Sequence, residues 1–161
     1  MNAPFSVLFT NRASPELLRR LDAPVFTDEQ IAEFDEVSLA IIQSEEDYKK
    51  AHAPIAIYRV ATEGSQTRDG GVIEKATSSL EFTLESGQQV RAALEGDYVV
   101  YTDGSTAQIA TGSGEKNSHL ALVESLLSNG DEIINTPQDI CLFLAREGVP
   151  LEEDFLPNRS A

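Results

Sequence analysis

Residues able to do chemistry are few in this chain, apart from its carboxylates. It has two histidines, His52 and His119, one cysteine, Cys141, and 27 acidic against 12 basic side chains. Acids this abundant put carboxylates side by side by chance, and no pair stands in a setting that would split general acid from base. There is no Gly-x-Ser-x-Gly elbow, and Cys141 has no local signature pairing it with a histidine. Thr111-Gly112-Ser113-Gly114 lacks the Gly-Lys-Ser/Thr ending of a phosphate loop and runs into Glu115, so it reads as a turn. A structural zinc site needs four converging nitrogen or sulfur donors. His52, His119 and Cys141 are too few and are placed on a helix end, a loop and a helix. His119 reads as a surface or capping histidine, Cys141 as a small buried hydrophobe. The expectation is no enzyme, no cofactor and no metal.

The 161 residues suffice for a sizeable core, and 41% of them are hydrophobic. The net charge of −15 is spread along the chain. Ten acids face five bases before Ile57, twelve face five from Ile57 to Thr136, and five face two after it. Such a surface repels phosphate backbones, which argues against nucleic acid as a partner, although an acidic chain can mimic DNA toward a basic protein. One cysteine permits no intramolecular disulfide. Met1 to Thr10 lacks the pattern of a signal peptide, and no apolar run is long enough for a membrane span.

The first third reads as helix. Ser14 caps a short helix with Pro15 at its first position, and Pro24 ends it. Thr27-Asp28-Glu29-Gln30 is a capping box opening a longer helix of about five turns. Its stripe of Ile31, Phe34, Val37 and Ile41 should lie on a core, with Glu33 and Gln43 in water and fraying at Glu45-Glu46-Asp47. From Pro54 to Val60 the residues are β-prone. Between Gly64 and Gln138, short apolar runs are closed by Gly, Asn or Asp every eight to twelve residues. The strands expected are 71–73, 80–84, 90–94, 98–102, 106–110, 121–123 and 132–134, with Asp103-Gly104 as a hairpin turn. Thr136-Pro137-Gln138-Asp139 looks like another helix start, with Ile140, Phe143 and Leu144 as its stripe, Gly148 as its stop and a loosely held tail from Leu151. The expected organisation is α+β, with a helical extension over 1–56, a β unit over 57–138 and a C-terminal helix and tail over 139–161.

The β region repeats itself. Val90 to Asp97 shares its order of apolar, small and turn residues with Leu120 to Ser125, and Gly70-Gly71-Val72-Ile73 is echoed by Gly130-Asp131-Glu132-Ile133-Ile134. Two copies of one β unit are therefore expected.

The pieces Thr67-x-x-Gly70-Gly71-Val72-Ile73, Gly87-x-x-Val90-x-Ala92-x-x-x-Gly96-Asp97-x-Val99, Ile109-x-x-Gly112, Leu120-Ala121-Leu122-Val123 and Asn129-Gly130-Asp131-x-Ile133-Ile134 resemble, in order, the PAAR-repeat proteins at the tip of the bacterial type VI secretion spike. The resemblance covers about Tyr58 to Gln138. It implies a small conical β structure whose base docks on the trimeric VgrG spike, with extensions that are toxins or adaptors for toxins. It further implies a protein held in the bacterial cytoplasm before firing and secreted by the apparatus without a signal peptide. Family members commonly hold zinc near the point through three histidines and a cysteine. Here Asp69 precedes the paired glycines, Tyr101-Thr102 stands where a cysteine would follow, and Asn129 precedes Gly130, so the ligands are missing. The residues expected to matter are the turn formers Gly70, Gly71, Gly96, Asp97, Gly104, Asn129 and Gly130. The stripe Ile31, Phe34, Val37 and Ile41 either folds back on the β unit or meets a partner such as an effector or its adaptor. The competing reading is an acidic inhibitor or immunity protein that fills a basic toxin cleft.

Overall fold

A computed structural model describes residues 7–157. The fold is α+β. Its elements are α1 (Pro15–Leu21), α2 (Asp28–Ile31), α3 (Glu36–Ala51), β1 (Pro54–Arg59), β2 (Glu81–Thr83), β3 (Gln89–Arg91), β4 (Tyr98–Val100), β5 (Thr106–Gln108), a 3-10 turn (Glu115–Asn117) and β6 (Leu142–Arg146). Antiparallel pairs form between β2 and β3 and between β4 and β5, and β1 pairs with β6. Among the described residues, no helix is long and apolar enough to cross a membrane.

The chain divides into two compact units. One, hereafter the helical unit, comprises residues 12–56 and 144–150. Ser14 and Thr27 cap α1 and α2 as their sequences predict, the latter through a complete capping box. The long helix expected after Thr27 is instead two. Asp35 takes the Ser38 N–H at 2.7 Å and starts α3 afresh, while Phe34 leaves the helix to meet Phe26 edge to face at 5.0 Å. An aspartate is among the strongest N-caps, and here it overrides a continuous apolar spacing. The stripe is thereby divided: Ile31 and Phe34 are half-buried, whereas Val37 and Ile41 on α3 are exposed. Nor does α3 fray at its acids, for it runs to Ala51 with Lys49 near Glu46. Arg146 grips Asp22 through both guanidinium nitrogens at 2.6 and 3.0 Å and donates to the His52 carbonyl at 3.1 Å. That hydrogen-bonded ion pair holds the Asp22 carboxyl below its ordinary pKa.

The other unit contains residues 57–143 with segments near both ends of the chain. Its repeat is threefold, not twofold. Three hairpins start from equivalent turns, Thr62–Ser65, Leu94–Asp97 and Leu122–Ser125, in which Ser65 Oγ, Asp97 Oδ2 and Ser125 Oγ accept from the first residue's N–H at 3.0, 2.9 and 2.9 Å. The third residue of each turn has positive φ: Gly64, Gly96 and Glu124. Above each turn an isoleucine, Ile73, Ile109 or Ile133, closes the hairpin's first pair and is buried. The third copy carries Glu124 where the others have glycine, and the second hairpin is four residues longer, Asp97 to Ile109 against Ser65 to Ile73. These two departures hide the third copy in the sequence.

The three copies close on themselves. Ala61 N–H donates to the Ala121 carbonyl at 2.9 Å, Ala121 to Ala93 at 2.8 Å, and Ala93 to Ala61 at 2.9 Å. Higher up, the outgoing strand of each hairpin bonds to the returning strand of another: Arg68 to Glu132, Ser128 to Gln108, and Val100 to Val72. Closure satisfies backbone groups that an open sheet edge would leave unpaired. Inside lies a core of Ile73, Ile109, Ile133, Val99, Leu127 and the ring alanines.

The predicted C-terminal helix is a strand. Thr136 Oγ1 and Gln138 Nε2 both donate to the Val60 carbonyl, at 2.9 and 2.7 Å, and Gln138 Oε1 accepts from Ile140 and Cys141 N–H. The apparent cap and first turn are thus spent on a tertiary contact, and Leu142–Arg146 pairs with β1. Local propensity yields to long-range pairing here. Cys141 lies half-buried in this turn, not on a helix, and burial raises its thiol pKa. The expected loose tail is also corrected as far as Pro157: Phe155 and Leu156 are buried, with Phe155 edge to face on Tyr58 and Phe143. Residues 158–161 of that tail lie outside the described residues.

Candidate functional site

The hairpin ends form one candidate site. Gly70, Gly104 and Gly130 occupy equivalent positions with φ of 93°, 87° and 87° and donate back to Thr67, Tyr101 and Leu127. A side chain there would strain the left-handed backbone. Gly71 is required for a different reason: a Cβ would sit 2.3 Å from Val99 Cγ1 and 3.0 Å from Tyr101 Cε1. Gly96 and Asp97 lie apart from this cluster, at the open end of the second hairpin, where Asp97 also accepts from Thr77 N–H at 3.0 Å and Thr77 Oγ1 at 2.6 Å.

Between the first and third hairpins and the flank of the second lies a polar knot. Asp131, whose side chain is fully buried, accepts from Tyr101 Oη at 2.6 Å and from the Glu132 and Asp69 N–H groups at 2.8 and 3.1 Å. Asn129 Nδ2 donates to Tyr101 Oη at 3.0 Å, and Asn129 Oδ1 accepts from Asp131 N–H at 3.0 Å. Thr67 Oγ1 accepts from Gly71 N–H at 2.8 Å, and Arg68 Nη2 donates to the Gly130 carbonyl at 3.0 Å. Burial opposes ionisation of Asp131, but hydrogen bonds from Thr67, Tyr101 and the two amides outweigh it and hold its pKa below the ordinary carboxyl value. Burial, and then the bond to Asp131, raise the Tyr101 pKa.

This knot does not fit zinc. Its donors are a hydroxyl, a phenol, an amide and one carboxylate, already engaged with one another. Among the described residues, no group of three or more His, Cys, Asp or Glu is placed to hold a metal ion. His52 caps α3 with Nδ1 2.9 Å from the Glu147 carbonyl, and His119 is exposed with Nδ1 2.9 Å from Glu95 Oε2. Overnight treatment with EDTA is expected to leave the melting temperature unchanged within about 1 °C, whereas loss of a structural metal would lower it by many degrees. Differential scanning calorimetry with and without chelator checks this.

Of the anticipated residues, Gly70, Gly71, Asn129 and Gly130 are brought together. Gly104 extends beyond the knot on the longer hairpin. Missed from sequence were Thr67, Tyr101 and above all Asp131, a buried acid disguised among 27 acids. The available signal was its place directly after Asn129-Gly130, where a returning strand begins.

No protein-family model matches this chain, and no match is found among curated proteins or solved structures.

Proposed function

We propose that this chain is a non-enzymatic tip protein that caps the trimeric VgrG spike of a type VI or similar contractile injection apparatus and helps to attach or deliver an effector. The observation that carries the reading is the closed threefold repeat. A single chain that meets a threefold partner on its axis makes equal contacts with three subunits only by presenting one surface in triplicate, which is a demand of symmetry. Around the buried alanine ring, the three turns supply such a triplicate at the open ends of the hairpins, where Gly64, Gly96 and Glu124 reach the surface. The knot of Thr67, Tyr101, Asn129 and Asp131 would stiffen the opposite end, in a role the spike-tip family commonly gives to zinc. The ordered pieces from Thr67 to Ile134 support the same reading.

Immobilised cognate spike trimer is expected to retain the protein at 0.15 M salt, and a pull-down tests this. Retention by no spike would remove the proposal. The second reading, an acidic inhibitor of a basic toxin, is favoured by the net charge of −15. It predicts partner binding that weakens steeply with salt and no capture by a spike.

A further inference from the structure

We propose that α3 is a docking surface for a partner helix that carries an apolar stripe between basic flanks. The helix turns one line of apolar residues to solvent, while Ile42 is half-buried and Leu39 is exposed on the far side. Val37, Ala40 and Ile41 are exposed, Val37 at 71% and Ile41 at 55%, and Tyr48 is exposed on the same line with its ring beside His52 and Arg146. Their spacing of three, one and seven residues places them, with Ser44, along one stripe. The half-buried residues of α3 are Ser38, Ile42, Glu46 and Lys49, a set displaced by about one residue around the helix. None of its residues is fully buried. A surface helix ordinarily does the reverse, burying its apolar side and wetting its charges. Val37, Ala40, Ile41 and Ser44 form a shallow, open patch with Glu36 and Glu45 beside it.

Charge identifies the occupant. Glu36 and Asp47 lie along one border of the stripe and Glu45 along the other, all exposed. The two lysines of the helix are elsewhere: Lys49 lies on the half-buried side, 3.7 Å from Glu46, and Lys50 follows it around the back. A second copy of this chain would set acid against acid along both borders, on molecules that each carry −15. An anionic membrane surface is repelled for the same reason. A helix with leucine-like residues at three- and four-residue spacing, flanked by Lys or Arg, satisfies both the stripe and its borders. From Val37 to Tyr48 the stripe runs about 17 Å along α3. This surface belongs to the helical unit alone and does not depend on docking to a spike.

The test uses the full chain and two synthetic peptides of about 18 residues, helical and fluorescently labelled, with the same leucine stripe flanked by lysine in one and by glutamate in the other. Fluorescence anisotropy at 0.15 M salt is expected to show the lysine-flanked peptide binding at least about tenfold more tightly than its twin. The double variant Val37→Asp/Ile41→Asp adds negative charge, so a merely electrostatic association would hold or strengthen. The expected result is a loss of at least about tenfold, with amide shifts in the parent protein confined to α3. The triple variant Glu36→Lys/Glu45→Lys/Asp47→Lys is expected to invert the preference between peptides. The proposal is overturned if neither peptide binds at about 1 mM, or if the aspartate variant binds equally. It is also overturned if that variant melts well below the parent, since the stripe would then be packed within the chain, or if sedimentation shows self-association through the stripe. Retention on the spike is measured on the same variants and is expected to be unchanged, which separates failure here from failure of the spike proposal.

Discussion

Ala93→Leu is expected to destabilise the β unit by about 3 kcal/mol or more, which is a large part of the stability of a domain this size. The side chain of Ala93 is fully buried, as are those of Ala61 and Ala121, and the three residues are joined in a ring of backbone hydrogen bonds of 2.8 to 2.9 Å. Three extra heavy atoms at such a closure must force the strands apart or the side chain off its rotamer, and the ring cannot widen at one member without loosening the other two. The same substitution at Ala61 or Ala121 is expected to cost a similar amount, because the threefold repeat makes the three environments equivalent. Equilibrium urea unfolding of the three single variants checks this. Similar losses in all three support the ring, whereas a tolerated leucine at any one would show that the closure is looser there. At an exposed alanine of α3, such as Ala40, the change to leucine should move stability by no more than about 0.5 kcal/mol.

Asp131→Ala is the second large effect, expected at about 2–4 kcal/mol, because it strands donors aimed at a fully buried carboxylate. Tyr101→Phe removes one of these donors and should cost about 1–3 kcal/mol. The two changes share a bond, so their combined cost should fall short of the sum. The same network sets a pH window. Asp131 has a folded pKa below its unfolded value of about 3.9, so its contribution is complete above that value and is lost as pH falls through the folded pKa. Tyr101 has a folded pKa raised above its unfolded value of about 10, so its contribution is complete below that value and is lost as pH rises through the folded pKa. Melting temperatures measured against pH should show both limbs in the parent. Tyr101→Phe should make the alkaline limb shallower, leaving the share of the Cys141 thiol, and Asp131→Ala should make the acid limb shallower, leaving the share of Asp22. Limbs of unchanged steepness in both variants would exclude the knot as a contributor.

What the sequence disclosed follows from the range of the interactions involved. Turn and cap chemistry is local, so Asp103-Gly104, the capping box at Thr27 and the strands around them stand where their residues predict. Hairpin-end glycines were legible for the same reason. The α3 break was also local, but Asp35 looked like one more surface acid on a continuous helix. Long-range bonds were not legible. Thr136 and Gln138 carry a helix-start pattern, and only the Val60 carbonyl, 76 and 78 residues away in sequence, explains why no helix forms. The third repeat was concealed because its turn uses Glu124 in a conformation for which glycine is the usual mark. Asp131 was invisible because burial, not residue type, sets it apart from the other acids. The outward stripe of α3 inverted the expectation that apolar spacing marks a core, and that inversion is what makes it informative.

On the proposed function, one chain supplies a threefold surface to a threefold partner. Native mass spectrometry of this protein mixed with a VgrG spike trimer at about 10 μM tests this most directly. The expected species is one copy of the chain on three spike subunits, unchanged by excess of the chain. Saturation at three copies per trimer, or no complex at all, would overturn the proposed function.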